Sequence, residues 1–345
     1  MTTYSFLDDY SEGCHPEILH LLGTSNMTQQ TAYGNDAYTI EARRLIAERC
    51  GRVDVPVHVV GGGTLANLII CAAVLRPHEA IISPASGHIA MRETGAIEAT
   101  GHKIISVPPV EGKLTPQAVE DAVAGNSQGP HMAKPRMVYI SNATEFGTVY
   151  SHDELKALRK TCDVHHLLLL IDGARLGAAL GSDHAGGATL ADVTALADIF
   201  WIGGTKAGTL FGEAIVIPNS SLADDFDYHI KQRGALLAKG RSLGVQFQAL
   251  FSDGLFERSA DHANVAAQTL AAGVVSAGFE LAAETESNQV FALLPNPAIE
   301  SLQQSFSFYV WEPRTDDQSV IRLVTSWATD TAQVARFVES IKALN

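Results

Sequence analysis

The sequence predicts an α/β fold with a mainly parallel sheet covered by helices on both sides, followed by a smaller α+β region. Three observations support this prediction. Short apolar runs of strand length alternate with helical patterns from about residue 55 to residue 217. These runs are too apolar to leave one face in water, which is typical of parallel sheets. After Pro218 the pattern changes to consecutive helices and then to further strand-like runs.

The predicted strands and helices follow one another in a regular order. Strands are predicted for seven apolar runs, at 55–60, 80–83, 103–107, 137–141, 167–171, 199–202 and 213–217. Helices are predicted between them, at 64–75, 89–100, 116–124 and 153–162. The last strand follows its predecessor after a short turn, so we expect it to run antiparallel. Helical patterns fill 222–278, strands are predicted at 290–294, 307–311 and 321–325, and a helix closes the chain at 331–344.

Chain length and pattern together predict three parts. The chain has 345 residues, about twice the ~150 residues of an average domain. We expect an N-terminal segment over 1–30, a large domain over 31–250 and a small C-terminal domain over 251–345.

The composition argues against several classes of partner. There are 24 Lys and Arg residues against 38 Asp and Glu residues, a net charge of −14, so we expect neither nucleic acid nor a membrane surface as partner. The longest apolar run is too short to span a membrane, and the acidic start lacks a signal-peptide pattern. The four cysteines lie far apart, without disulfide or metal-ligand spacing. We therefore expect a cytoplasmic location and no metal ion in the site.

Three predicted strand ends carry groups suited to cofactor chemistry. The glycine turn at 61–63 and Thr64 precede a helix, where bare N–H groups can bind phosphate, although a tight turn alone would explain the glycines. Asp172 follows a buried apolar run, and Arg175 could pair with it in a site or in a purely structural ion pair. Lys206 lies among glycines at another strand end. If Lys206 is buried there, it is suited to covalent bonding to a carbonyl group. The alternative is that Lys206 is an ordinary exposed lysine of a loop.

In combination these groups point to one cofactor. A phosphate-binding turn, a strand-end carboxylate and a strand-end lysine are the anchors that pyridoxal 5'-phosphate needs for its phosphate, its ring nitrogen and its aldehyde. His88 follows another strand and could stack on the ring, or it could be structural. The alternative from a different class is a nucleotide-binding protein that uses the same turn. No GxGxxG motif with an acidic ribose-binding residue supports that alternative.

Seven collinear motifs resemble those of the low-specificity L-threonine aldolases, which are pyridoxal-phosphate enzymes of the aspartate aminotransferase-like fold. The motifs are YGND at 33–36, GGGTLAN at 61–67, GHIAMRETGA at 87–96, KPRMVYISNATEFGTVY at 134–150, DGAR at 172–175, GGTKAG at 203–208 and IRLVTSW at 321–327. The resemblance implies the PLP-dependent transferase fold (fold type I). It also implies a carbon–carbon lyase that cleaves L-threonine, L-allo-threonine and related β-hydroxy-α-amino acids, such as phenylserine, to glycine and an aldehyde. β-Elimination or transamination of another small amino acid on the same cofactor is the alternative.

The resemblance also assigns roles to individual residues. Those expected to bind the cofactor are Gly63, Thr64, His88, Asp172, Arg175, Lys206 and, from a partner chain, Lys231. Those expected to bind the substrate are Arg175 and Arg322, at its carboxylate, and Tyr33 from a neighbouring subunit. Those expected to take part in catalysis are Lys206, which would hold the cofactor covalently, His131 as the base at the β-hydroxyl group, and His88 in support. A site shared in this way implies a homodimer or a homotetramer.

Three positions depart from the family's pattern. The run Leu7-Asp8-Asp9 lacks the family's serine, Gly62 replaces a Ser or Asn, and Arg92 stands where related chains can have an acidic residue. We expect these departures to leave the cofactor chemistry intact and to influence the choice of amino-acid substrate.

Overall fold

The computed structural model describes residues 3–344, which form thirteen strands and thirteen α-helices. The strands are β1 (Tyr4–Ser5), β2 (Val57–Val60), β3 (Glu79–Pro84), β4 (Lys103–Val107), β5 (Lys134–Ser141), β6 (Leu168–Gly173), β7 (Ile199–Gly203), β8 (Glu213–Val216), β9 (Glu280–Leu281), β10 (Gln289–Pro295), β11 (Phe306–Ser307), β12 (Tyr309–Pro313) and β13 (Gln318–Val324). The helices are α1 (Pro16–Ser25), α2 (Ala37–Arg49), α3 (Gly63–Val74), α4 (His88–Met91), α5 (Pro116–Gly125), α6 (His152–Val164), α7 (Leu176–Leu180), α8 (Leu190–Leu196), α9 (Phe226–Gln232), α10 (Arg241–Phe251), α11 (Leu255–Ser276), α12 (Asn296–Gln303) and α13 (Thr331–Lys342). Over this range no helix is both long enough and apolar enough to cross a bilayer.

The central sheet has seven strands in the order β2-β8-β7-β6-β5-β3-β4. Only β8 is reversed, since it pairs antiparallel with both β2 and β7 while the other pairs are parallel. The predicted mainly parallel sheet and its one antiparallel strand are therefore confirmed. The six parallel strands end at the same edge of the sheet, which we call the carboxyl edge. Because β8 runs the other way, its first residue, Glu213, lies at this edge too.

Helices cover both faces of this sheet, which explains why its strands are continuously apolar. In β6, Leu169 and Ile171 pack into a cluster with side chains of α6, α8 and α10. Leu168 and Leu170 point to the opposite face and pack with side chains of α3 and α9. Both sets of side chains are withdrawn from water, so the alternation of polar and apolar residues seen in half-exposed strands is absent here.

A second sheet follows the central one in sequence. It is antiparallel, in the order β12-β13-β10-β9, and α11, α12 and α13 share an apolar core with it. The chain's beginning also joins this core: β1 pairs with β11, and the ring of Phe6 contacts those of Phe306 and Phe337. The segment then continues into α1, which packs against α10. The division at residues 30 and 250 stays a prediction.

Two predicted elements are wrong in detail. The helix predicted at 89–100 is only the short α4 followed by a 3₁₀ turn, Glu98–Thr100. Thr94 and Gly95, with φ of 50° and 76°, adopt left-handed backbone conformations that interrupt a right-handed helix. The strand predicted at 307–311 is split into β11 and β12 around Phe308.

Candidate active site

The carboxyl edge of the central sheet brings most of the predicted site residues together. The turn at 61–64 follows β2, His88 follows β3 and Lys206 follows β7. Asp172 lies near the end of β6, and Arg175 follows that strand. Convergence here follows from the sheet's topology, because parallel strands all present their carboxyl ends, and the loops that follow them, on one side.

Asp172 is buried at the end of β6, and its carboxyl group accepts three hydrogen bonds. The Tyr139 hydroxyl donates to its Oδ2 at 2.7 Å, and the Asn67 amide donates to the same oxygen at 3.1 Å. The backbone N–H of Ala174 donates to Oδ1 at 3.1 Å. These donors fix the orientation of the carboxyl group at the edge where a cationic ring nitrogen could meet it.

Asn67 connects Asp172 to a second carboxyl group and to His88. Trp201 donates its indole N–H to Oδ1 of Asn67 at 3.0 Å, so the amide nitrogen of Asn67 must point the other way. This nitrogen donates to Asp172 and, at 2.9 Å, to Oε1 of Glu93. The same Glu93 oxygen lies 2.8 Å from Nδ1 of His88. The result is a continuous chain of polar groups from Asp172 to the imidazole of His88.

The turn before α3 leaves the helix start open to an anion. Gly62 is the N-cap, and no side chain caps the first turn of the helix. A Cβ atom on Gly63 would lie 2.8 Å from the Trp201 ring, so glycine permits this close approach of helix and sheet. The unpaired N–H groups and the exposed hydroxyl of Thr64 are suited to binding phosphate.

Lys206 lies in the tight turn between β7 and β8. Gly204 is needed in this turn, because a Cβ atom there would lie 2.6 Å from the carbonyl oxygen of Gly212. Burial lowers the pKa of Lys206, and the nearby charge of Arg175 lowers it further. The ring of Tyr10 lies 6.0 Å from Nζ. A lysine in this environment is suited to covalent bonding to a carbonyl group.

Arg175 pairs with Asp9 and not, as the sequence suggested, with Asp172. Its Nε and Nη2 donate to the two Asp9 oxygens at 2.7 and 3.1 Å, and Asn288 donates to Asp9 at 3.0 Å. Burial disfavours the ionised form of Asp9, but the charges of Arg175 and Lys206 outweigh burial and lower its pKa. The suggested pairing was wrong because a residue distant in sequence, carried in by the N-terminal segment, occupies the guanidinium group.

Arg322, on β13, stacks its guanidinium group on two aromatic rings. Those of Tyr309 and Trp311 lie 4.9 and 4.8 Å away. Burial lowers the pKa of Arg322, and the positive charge of Arg175 lowers it further. Its buried Nε has no hydrogen-bond partner among the described residues. The rings therefore hold a cation that retains capacity to bind an anion.

Three residues assigned to the site lie apart from it within one chain. Tyr33 and Lys231 contact each other, with 5.1 Å between Nζ and the ring, beside a surface cavity of about 300 Å³. His131 is exposed in the loop before β5. The eight residues of β5 separate that loop from the carboxyl edge by ~25 Å, at about 3.3 Å per residue. Within one chain, His131 therefore lies far from Lys206, and its catalytic role stays a prediction.

Several polar residues at the edge received no role from the sequence, although some lie inside the quoted motifs. Asn67 ends GGGTLAN and Glu93 belongs to GHIAMRETGA. Glu145, in the loop after β5, accepts hydrogen bonds from the backbone N–H of His88 at 2.9 Å and from Ser141 at 2.7 Å. Burial raises the pKa of Glu145. Glu213 also lies here, and only the proximity of these residues in the fold reveals them.

This set of groups fits pyridoxal 5'-phosphate. The uncapped start of α3 suits its phosphate, the buried carboxyl group of Asp172 its ring nitrogen, and the desolvated Lys206 its aldehyde. The His88 side chain is 41% exposed, so its ring is free to stack. The cavity between Lys206 and Arg175 measures only about 30 Å³, whereas one of about 520 Å³ lies near Tyr33. The reactive groups therefore lie at the smaller cavity, and cavity size does not indicate reactivity here.

Comparisons with known proteins agree with this geometry. The family profile of beta-eliminating lyases matches residues 8–296. The chain is 36% identical to the low specificity L-threonine aldolase of Pseudomonas aeruginosa, over 99% of this chain and 97% of that protein. It is 48% identical to a solved structure of Leishmania major threonine aldolase, with a TM-score of 0.97 and 99% of each chain covered. An aspartate aminotransferase structure from Thermus thermophilus, 14% identical with a TM-score of 0.70, covers 99% of this chain and 92% of that one. At that identity it shows the fold alone, which confirms the predicted fold class.

Proposed function

Because the chain belongs to the beta-eliminating lyase family and matches threonine aldolases over 99% of its length, we propose that it cleaves L-threonine, L-allo-threonine and related β-hydroxy-α-amino acids, such as phenylserine, to glycine and an aldehyde. It is thus a carbon–carbon lyase. The observation that carries the proposal is the pairing of His88 with Glu93 at the carboxyl edge. An aldolase must take a proton from the β-hydroxyl group, whereas elimination and transamination need no base there.

The proposed cofactor is pyridoxal 5'-phosphate, held covalently by Lys206. Gly63 and Thr64 would bind its phosphate, Asp172 its ring nitrogen, and His88 would lie over the ring. The uncapped helix start and the network around Asp172 support these roles. When bound, the cofactor takes up the electron pair that remains on the substrate's α-carbon after a bond there breaks.

The substrate carboxylate is proposed to bind Arg322, with Arg175 in support. The rings of Tyr309 and Trp311 limit the orientations of the Arg322 guanidinium group, and Asp9 occupies Nε and Nη2 of Arg175. Charge-assisted hydrogen bonds from a fixed guanidinium would hold the carboxylate in one plane. The bond from the α-carbon to the β-carbon is then free to take the orientation in which it breaks.

His88 is the proposed base within one chain. When Nδ1 of His88 carries the ring proton, it donates a hydrogen bond to Oε1 of Glu93, and the lone pair of Nε2 is free to accept a proton. Nε2 takes the proton of the β-hydroxyl group, the bond between the α- and β-carbons breaks, and the aldehyde leaves. The α-carbon then takes up a proton to give glycine. Histidine suits this task near neutral pH.

We also propose a homo-oligomer, a dimer or a tetramer, in which Tyr33, Lys231 and His131 serve a neighbouring subunit's site. The exposure of Tyr33 and His131, and their separation from Lys206 within one chain, support this proposal. A cytoplasmic location is proposed because all four cysteines are free thiols.

Product analysis tests the proposed function. The purified enzyme is incubated with L-threonine, and glycine, acetaldehyde, ammonia and 2-oxobutanoate are quantified, with Lys206→Ala as the inactive control. We expect glycine and acetaldehyde in equal amounts. Ammonia with 2-oxobutanoate would instead establish β-elimination, the alternative chemistry on the same cofactor.

A further inference from the structure

A buried carboxyl group lies directly beneath the turn that carries Lys206. Glu213, the first residue of β8, is 4% exposed. Its Oε2 accepts the backbone N–H of Gly204 at 2.9 Å, and its Oε1 accepts the Thr205 hydroxyl at 2.9 Å. Thr205 in turn accepts the N–H of Gly212 at 3.1 Å. Glu213 therefore ties together both sides of the turn immediately before Lys206.

The residues that pair with Glu213 across the sheet, and the α10 side chains that face the turn, are uncharged. The neighbours of Glu213 across the sheet are Val60 on β2 and Gly203 on β7. The side chains of α10 that face the turn are Leu243, Phe247 and Gln246, none of them ionisable.

The largest effects of charge on Glu213 come from Lys206, which lowers its pKa, and Asp172, which raises it. Arg175 and Asp9 act on Lys206 itself. Burial is the main cause that raises the pKa of Glu213, to about 7.

We propose that Glu213 is a positioning residue for Lys206. Glu213 fixes the turn through both of its carboxyl oxygens and, when ionised, stabilises a proton on the Lys206 nitrogen. This inference rests on the proposed function, because it concerns the lysine that holds the cofactor. It gives a role to a buried carboxyl group that the proposed reaction does not otherwise use.

The direction of the effect follows from charge. An anion near Nζ favours the cationic form of the lysine nitrogen, and the charge of Glu213 raises the pKa of Lys206 against the lowering caused by burial and by Arg175. Since Glu213 titrates near neutral pH, it is largely neutral below that range and anionic above it. The proton on the lysine nitrogen is therefore retained to higher pH than burial alone would allow.

Glu213→Gln tests the proposal with little structural change. The amide oxygen can accept the Gly204 N–H, and the amide nitrogen can donate to the Thr205 hydroxyl oxygen, so the turn keeps its bonds while the charge is lost. The holoenzyme is titrated with pH while its visible absorbance is recorded, because the band responds to the proton on the nitrogen that joins Lys206 to the cofactor. We expect the midpoint to fall by about one pH unit in the variant.

Glu79→Gln is the matched control, because Glu79 is another buried glutamate of the same sheet but lies at the amino end of β3. Its midpoint should equal that of the wild type. Thr205→Ala is a second variant, which removes one hydrogen bond from the Glu213 carboxylate. It should lower the midpoint by a smaller amount than Glu213→Gln, since the carboxyl group then stays protonated to higher pH.

The outcomes separate this inference from the proposed function. If the wild-type protein shows no visible absorbance band even after pyridoxal 5'-phosphate is added, the proposed function itself is wrong. If the wild type shows the band and Glu213→Gln has the same midpoint, the proposed role of Glu213 is wrong and the proposed function still holds. If Glu213→Gln does not fold, an unchanged midpoint in Thr205→Ala has the same meaning.

Discussion

The Nδ1 atom of His88 lies 2.8 Å from Oε1 of Glu93, and the two side chains differ sharply in exposure, at 41% and 0%. A continuous helix would not permit this contact, because residues five apart point about 140° away from each other around its axis. Helix α4 ends at Met91, and Arg92, with φ of −129° and ψ of 10°, leaves the helical conformation just before Glu93. The interruption of the helix is what places a buried carboxyl group against an exposed imidazole.

The first prediction concerns this pair. Glu93→Ala should lower kcat for L-threonine cleavage by ~10²-fold or more, because a freely rotating imidazole loses most of the benefit of a positioned base. Glu93→Gln should lower it by about tenfold or less, since an amide oxygen can still accept the Nδ1 proton. KM should stay nearly constant in both variants.

A downfield proton signal in the NMR spectrum gives an independent reading of the His88–Glu93 contact. The hydrogen-bonded Nδ1 proton of His88 should be visible in the wild type and absent in Glu93→Ala and His88→Ala. Equal kcat values for Glu93→Ala and Glu93→Gln would show that orientation of the imidazole does not matter.

The second prediction concerns His131, which one chain holds far from its own Lys206. Lys206→Ala and His131→Ala subunits are co-expressed with different tags, and mixed oligomers are purified through both tags. If His131 acts on a neighbouring site, a mixed oligomer combines an intact Lys206 with an intact His131 and regains activity well above either parent. No recovery in pure mixed oligomers would argue against action between subunits, and full activity of His131→Ala alone would remove the residue from the mechanism.

The third prediction concerns Arg322 and its aromatic neighbours. Arg322→Lys should lower kcat/KM by ~10–100-fold, mainly through KM, because an ammonium group cannot form the planar two-point contact with a carboxylate. Trp311→Ala should raise KM by about fivefold, as the guanidinium loses one stacking ring. Trp311→Phe retains a ring and serves as the control. A change confined to kcat would contradict the proposed role in binding the carboxylate.

The fourth prediction concerns the buried ion pair of Asp9 and Arg175. Asp9→Asn should destabilise the protein by about 3–5 kcal/mol near neutral pH, because it leaves Arg175 buried without a counter-charge. The folded state lowers the pKa of Asp9 below its value of about 3.9 in the unfolded chain. The ionised carboxylate therefore contributes fully to the free energy of unfolding above that value. This contribution is lost as the pH falls through the lower pKa of the folded state.

Urea unfolding at several pH values checks this prediction. The difference in unfolding free energy between the wild type and Asp9→Asn should shrink once the pH falls below about 4. Asp8→Asn, which leaves the ion pair intact, is the control. A difference that does not depend on pH would show that ionisation of Asp9 contributes nothing.

The sequence predicted the sheet and the anchors of the cofactor because both follow from local patterns. Apolar runs mark the buried strands, and polar residues directly after them, such as Asp172 and Lys206, must meet at the carboxyl edge. The partners of these residues could not be predicted in the same way. Asp9 reaches Arg175 across 166 positions of sequence, and Glu93 reaches His88 only because a predicted helix is interrupted. In the sequence Glu213 has no distinguishing feature, and only the reversed direction of β8 places it next to the turn that carries Lys206.

In the proposed reaction, the bond between the α- and β-carbons breaks while the α-hydrogen stays in place. L-Threonine with deuterium at the α-carbon is supplied in ordinary water, and the mass of the product is measured. We expect glycine that retains one deuterium and carries one hydrogen from water, together with acetaldehyde. Glycine without deuterium, or a keto acid formed with release of deuterium to water, would contradict it, because the α-hydrogen would then have been removed first.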